Sequence, residues 1–110
     1  MNIEVSKLDY IASADDTIEE AWTKIESNKH RSVIVVEDDK LVGTLSDGDL
    51  RKAMLKHRLM STPIREVMNV NFTSLSEEER GRAEEIFTQR DIFLIPIVDM
   101  NLKLIDIVVR

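Results

Sequence analysis

The second half of this chain repeats the first. A shift of 62 residues lays Ala21 on Ala83, Ile25 on Phe87, Val35 on Ile97 and Val36 on Val98. One residue inserted in the second hairpin turn then lays Leu45 on Val108. A repeat of this kind means one supersecondary unit used twice, each copy burying the apolar surface that the other cannot cover alone.

The elements of the unit follow from periodicity. Asp15-Asp16-Thr17-Ile18-Glu19 opens a helix with an acidic first turn suited to the helix dipole. Ile18, Ala21, Trp22 and Ile25 then recur at helical spacing, which predicts a buried stripe. Ser32 to Val36 reads as a strand, Glu37-Asp38-Asp39-Lys40 as a hairpin turn, and Leu41 to Leu45 as the return strand. Asp49 to Arg58 reads as a second helix burying Leu50, Ala53 and Met54. Ile3 to Ile11 carries short apolar pieces that suit an edge strand.

In the second copy Ser76-Glu77-Glu78-Glu79 is a capping box before a helix that buries Ala83, Ile86 and Phe87. Phe93 to Val98 and Leu102 to Val109 form the second hairpin, around the turn Asp99-Met100-Asn101. The predicted fold is α+β: two β-α-β-β-α repeats, residues 1–61 and 62–110, packed sheet against sheet about a pseudo-twofold axis. The second repeat lacks its last helix, which suggests a piece of a longer protein. Met60 to Glu66, with Pro63, is the connection.

Composition excludes several functions. With 110 residues, 43% hydrophobic, the chain is long enough for one compact core. A net charge of −6 argues against a nucleic-acid binder working through a basic face. The absence of cysteine removes disulfides and thiolate chemistry. Two histidines 27 positions apart, with no His-x-x-x-His spacing, leave no zinc pattern. No phosphate loop of the GxxxxGK type occurs, and Ser46 has no base positioned in sequence, so an enzyme in its own right is not expected. No apolar run approaches a membrane span and no signal-peptide pattern opens the chain, so the cytoplasm is the expected compartment.

Chemistry concentrates at the junction Gly43-Thr44-Leu45-Ser46-Asp47-Gly48-Asp49. Ser46 and Asp49 stand three apart where a strand gives way to a helix, whose first N–H groups lack partners within the helix. They can form a capping box, or hold a polar ligand at the strand end, or both. This stretch resembles the ribose-binding motif of CBS domains: Gly, two mostly apolar residues, Ser or Thr, two free positions, Asp. Leu94-Ile95-Pro96-Ile97-Val98-Asp99 resembles that family's strand-then-turn sequence, and Val67-Met68-Asn69 the lead-in to second CBS domains. Together with the repeat, the resemblance to a tandem CBS pair, or Bateman module, covers nearly the whole chain.

The resemblance implies a regulatory ligand, not a required cofactor: an adenine nucleotide (AMP, ADP or ATP) or an S-adenosyl compound. Asp49 would accept from the ribose hydroxyls, with Ser46 supporting it and Thr44 beside it. His30-Arg31 precedes the first long strand, where related domains place cations that meet phosphate; the same run also reads as a solvated turn. Ile92, Phe93 and Leu94 match the partner-copy segment that flanks adenine, and Ala83 a small residue facing the base. The same residues also read as core strand and the buried face of a helix. In the second motif Asp106 replaces Gly43, Val109 replaces Ser46, and the place of Asp49 lies two residues beyond Arg110. One usable site is therefore expected.

CBS pairs commonly form homodimers through their helices, and the stripe Leu50, Ala53, Met54 is a candidate seam. They are usually attached to enzymes or transporters. The run from Gly43 to Leu55 followed by Pro63 to Asn69 resembles pairs preceding sugar-phosphate nucleotidyltransferase domains. Two functions are implied: a sensor that biases an attached domain, or a scaffold that has lost its ligand and only dimerises its parent.

Overall fold

The computed structural model describes residues 5–110. A 3-10 helix, Val5–Tyr10, leads into strand β1, Ile11–Ser13, so the expected strand to Ile11 is mostly 3-10 helix, and Ile3 lies outside the described residues. Helix α1 spans Ile18–Asn28, strand β2 Ser32–Glu37, strand β3 Lys40–Ser46 and helix α2 Asp47–Leu55. The second copy supplies helix α3, Ala83–Gln89, and strands β4, Leu94–Val98, and β5, Leu104–Val109. Several boundaries differ from expectation; strand β5, for one, begins at Leu104 rather than Leu102. Helix α2 begins two residues early because Ser46, not a later residue, caps it, and it ends at Leu55 rather than Arg58. The Ser76–Glu79 box forms, but a 3-10 turn, Arg80–Arg82, intervenes before α3, where Gly81 weakens a helical path.

The first sheet has the order β1-β2-β3 and the second is the β4-β5 hairpin. Their registers carry the repeat. Val33 opposes Leu45 and Val35 opposes Gly43 in the first; Ile95 opposes Val108 and Ile97 opposes Asp106 in the second. Both hairpins shift register at the same place, between Val35 and Val36 and between Ile97 and Val98. Each pair of partners is thus related by the offset of 62 residues, with one more after the turn.

A twofold relation requires equivalent residues to meet across the axis, and they do. Lys40 bridges Lys103, its own equivalent. The Leu41 N–H donates to the Leu102 carbonyl at 2.8 Å, and the Leu104 N–H donates to the Asp39 carbonyl at 3.2 Å. Those two bonds are exchanged by the repeat, since Asp39 corresponds to Leu102 and Leu41 to Leu104. Asp39 and Leu102 also share a left-handed backbone, φ 63° and 64°.

Alternation along the strands sorts side chains into layers. Val33 and Val35 face α1 and α2, with Ala21, Ile25, Leu50 and Ala53. Ile95 and Ile97 face α3, with Ala83 and Phe87. Between the sheets lie Ile34, Leu41, Leu94, Val98, Leu104 and Ile107. A fully buried aliphatic side chain is worth about 1.5–3 kcal/mol, so this shared layer is comparable to the roughly 5–15 kcal/mol net stability of a domain.

Candidate functional site

The end of β3 and the start of α2 open onto a cleft of about 420 Å³ between the two copies. Ser46 caps α2: its hydroxyl accepts from the Asp49 N–H at 3.1 Å. The Asp49 carboxylate reaches back, its Oδ2 accepting from the Ser46 N–H at 2.9 Å and the Ser46 hydroxyl at 3.0 Å. Oδ1 has no hydrogen-bond partner among the described residues. The cap thus uses one carboxylate oxygen and leaves the other available at the cleft wall.

Gly43 makes the opposite side of the motif possible. A Cβ there would lie 2.7 Å from Met68 Sδ and 3.1 Å from the Asn69 carbonyl oxygen. The bare backbone lets residues 67–69 lie along β3, with Thr44 and Asn69 exchanging N–H···O bonds of 3.0 and 2.8 Å. This contact carries Asn69, Asn71, Phe72 and Thr73 into the cleft wall.

Of the residues singled out in the sequence, Asp49, Ser46, Thr44, Arg31, Ile92, Phe93 and Leu94 line this one cleft. His30 and Ala83 do not. His30 Nδ1 lies 2.8 Å from the Asn28 carbonyl and 3.1 Å from the Tyr10 hydroxyl, and its ring meets Tyr10 edge-on. Ala83 is buried beneath α3 and borders a separate groove with Phe87 and Val108. Residues the sequence did not single out also line the cleft: Asn69, Asn71, Thr73 and Arg90. Arg90 donates to the Thr73 hydroxyl at 2.9 Å. Their signal was the Val67-Met68-Asn69 run, whose pairing with β3 follows only from the Gly43 gap.

Charges around the cleft are mixed, with Arg31, Arg51 and Arg90 against Asp47, Asp49 and Asp91. Arg51 lies 4.0 Å from Asp47. Arg31 has a left-handed backbone, φ 62°, and its carbonyl accepts from the Asp47 N–H at 2.9 Å. Such an arrangement offers a carboxylate acceptor, uncharged amide and hydroxyl groups, and cations spread around one opening.

The equivalent place in the second copy is built differently. Asp106, at the position of Gly43, pairs with Lys7 Nζ at 2.8 Å and with Arg80 Nη1 at 2.9 Å. Burial opposes ionisation of Asp106, but the bonds from Lys7, the Ile107 N–H and Arg80 outweigh it and hold the carboxyl below the usual aspartate range. Lys7 also donates to the Ile107 carbonyl at 3.0 Å. Lys7 is the repeat equivalent of Asn69, so an ion pair replaces the backbone bridge that the Asp106 side chain leaves no room for. Val109 opposes Leu94 where Ser46 opposes Ser32, and it brings no hydroxyl.

Two α/β units related by a pseudo-twofold axis, with a Gly-x-x-Ser-x-x-Asp strand-to-helix turn facing the other copy, define a tandem CBS pair. The first copy is a CBS domain: residues 5–56 match the family model "CBS domain". It is similar to arabinose 5-phosphate isomerase GutQ of Escherichia coli O6:H1, 40% identical over 74 residues, 66% of this chain and 23% of that protein. The chain therefore spans less than a quarter of that relative. Among solved structures it resembles the putative acetoin utilization protein AcuB of Vibrio cholerae, with TM-score 0.78, 26% identity, and 91% of this chain and 76% of that chain covered. The CBS domain protein PAE2072 of Pyrobaculum aerophilum, solved complexed with AMP, has the same fold: TM-score 0.72, 17% identity, 90% of this chain and 78% of that one. Among the described residues no helix is long and apolar enough to cross a membrane.

Proposed function

We propose that the chain is a cytoplasmic regulatory module, units 1–61 and 62–110, which binds one adenine nucleotide in the cleft between its copies. The carrying observation is Asp49: its Oδ2 is held by Ser46 while Oδ1 has no partner among the described residues, beside a 420 Å³ cleft. An ionised carboxylate with a free oxygen suits the adjacent hydroxyls of ribose. Thr44 and Ser46 line the same edge, Arg31 offers a guanidinium to phosphate, and Ile92, Phe93 and Leu94 form an apolar wall for the base. The AMP complex of a protein with this fold supports the ligand class.

The module itself performs no catalysis in this reading. It biases an attached or partner enzyme through differential affinity for two arrangements of the copies. The isomerase relatives favour an enzyme acting on a sugar phosphate. The sugar-phosphate nucleotidyltransferase expected from the connecting run belongs to the same substrate class, but those relatives are isomerases. A thermal-shift screen of AMP, ADP, ATP, S-adenosyl compounds and guanine nucleotides tests the reading. A rise in melting temperature with an adenine compound supports it, and no shift with any nucleotide removes it in favour of a ligand-free scaffold.

A further inference from the structure

Arg31 and Phe93 occupy the same place in the two copies, 62 positions apart. They meet across the cleft, the Arg31 guanidinium carbon 5.1 Å from the Phe93 ring centroid. The Arg110 guanidinium lies 5.3 Å from the same centroid, and the Arg110 N–H donates to the Phe93 carbonyl at 3.0 Å. Arg31 and Phe93 line the cleft, and Arg110 does not. Neither arginine pairs with a carboxylate among the described residues.

We infer that Phe93 is a positioning residue for Arg31, and so sets how strongly the cleft prefers a phosphorylated nucleoside over the bare nucleoside. The inference rests on the nucleotide reading above. A ring attracts a guanidinium through the π face, whereas the N–H donors that recognise phosphate lie in the guanidinium plane. The two contacts do not compete for the same atoms. The Arg31 backbone is already fixed, by its left-handed φ and by the Asp47 N–H on its carbonyl. What stays loose in an exposed arginine is the side chain, and ordering it on binding costs affinity. A ring that holds the guanidinium beforehand lowers that cost, and Arg110 steadies the ring from outside the cleft.

Phe93 also belongs to the wall for the base, and the two roles separate on the ratio of AMP to adenosine affinity, because a wall alone acts on both compounds equally. Calorimetry on Phe93→Leu, which keeps an apolar wall but removes the ring, should lower that ratio about two- to fivefold, the fold-change of an exposed cation–π contact. Phe93→Trp should retain it. In an Arg31→Gln background, Phe93→Leu should leave the ratio unchanged. Equal losses for AMP and adenosine in Phe93→Leu overturn the inference while leaving the nucleotide reading intact. The same drop in the Arg31→Gln background also overturns it. No AMP binding by the wild type overturns both.

Discussion

A carboxylate has two oxygens, so Asp49 can cap a helix and hold a ligand at once. Its Oδ2 is committed to Ser46, at 2.9 and 3.0 Å. The two roles separate in Asp49→Asn, which keeps the shape but exchanges a charged acceptor for a donor or a neutral acceptor. If Asp49 accepts from ribose hydroxyls, the change should weaken nucleotide binding by about 1.5–3 kcal/mol, roughly tenfold to somewhat over a hundredfold. If it only caps, about 1 kcal/mol of stability is lost and binding stays as it was. Calorimetry beside a melting curve distinguishes them, and wild-type affinity in a protein that melts lower contradicts the ribose assignment.

At the scale of elements, the chain contains an internal control. Helix α1 begins with a capping box of the same geometry as that of α2: Thr17 accepts from the Glu20 N–H at 3.1 Å and Glu20 accepts from the Thr17 N–H at 3.0 Å. Thr17 lies outside the cleft lining and Ser46 within it. Thr17→Ala and Ser46→Ala should each cost about 1 kcal/mol of stability. Only Ser46→Ala should also weaken nucleotide binding; equal binding by both variants would reduce the motif to a cap. Much of this was legible beforehand, because hairpins and capped helices write their period and caps into consecutive residues. Ser32 to Val36 contains a continuous apolar run rich in β-branched residues, and Ser46 precedes an acidic residue by three. The boundary of α3 was not legible, since Gly81 diverts a chain that the Ser76–Glu79 box had already turned. The cleft was legible where one segment carries it, as at Ser46 and Asp49. It was not legible where distant segments meet, as at Asn69 and Thr73. His30 was drawn toward Tyr10, a contact twenty residues away that no local pattern announces.

At the scale of the molecule, the two copies share an apolar layer and an axis, but among the described residues only the first carries the Gly-x-x-Ser-x-x-Asp turn. Leu50 and Ala53 of the expected seam are buried within the chain, whereas Leu55 at the end of α2 and Leu59 and Met60 beyond it remain 80%, 71% and 41% exposed. An apolar run of this kind on the helical side suits a second copy of the chain, and the module should be a homodimer. A monomer mass at every concentration by light scattering would contradict this. The asymmetry within the chain bears on function more directly. Gly43 opens its side of the fold to Met68 and Asn69, while Asp106 closes the equivalent side with Lys7 and Arg80. The decisive measurement is a calorimetric titration of the chain with AMP and with its 2′-deoxy analogue. The account predicts one AMP per chain and weaker binding of the 2′-deoxy compound. Two AMP per chain, equal affinity for both compounds, or no binding at all would contradict it.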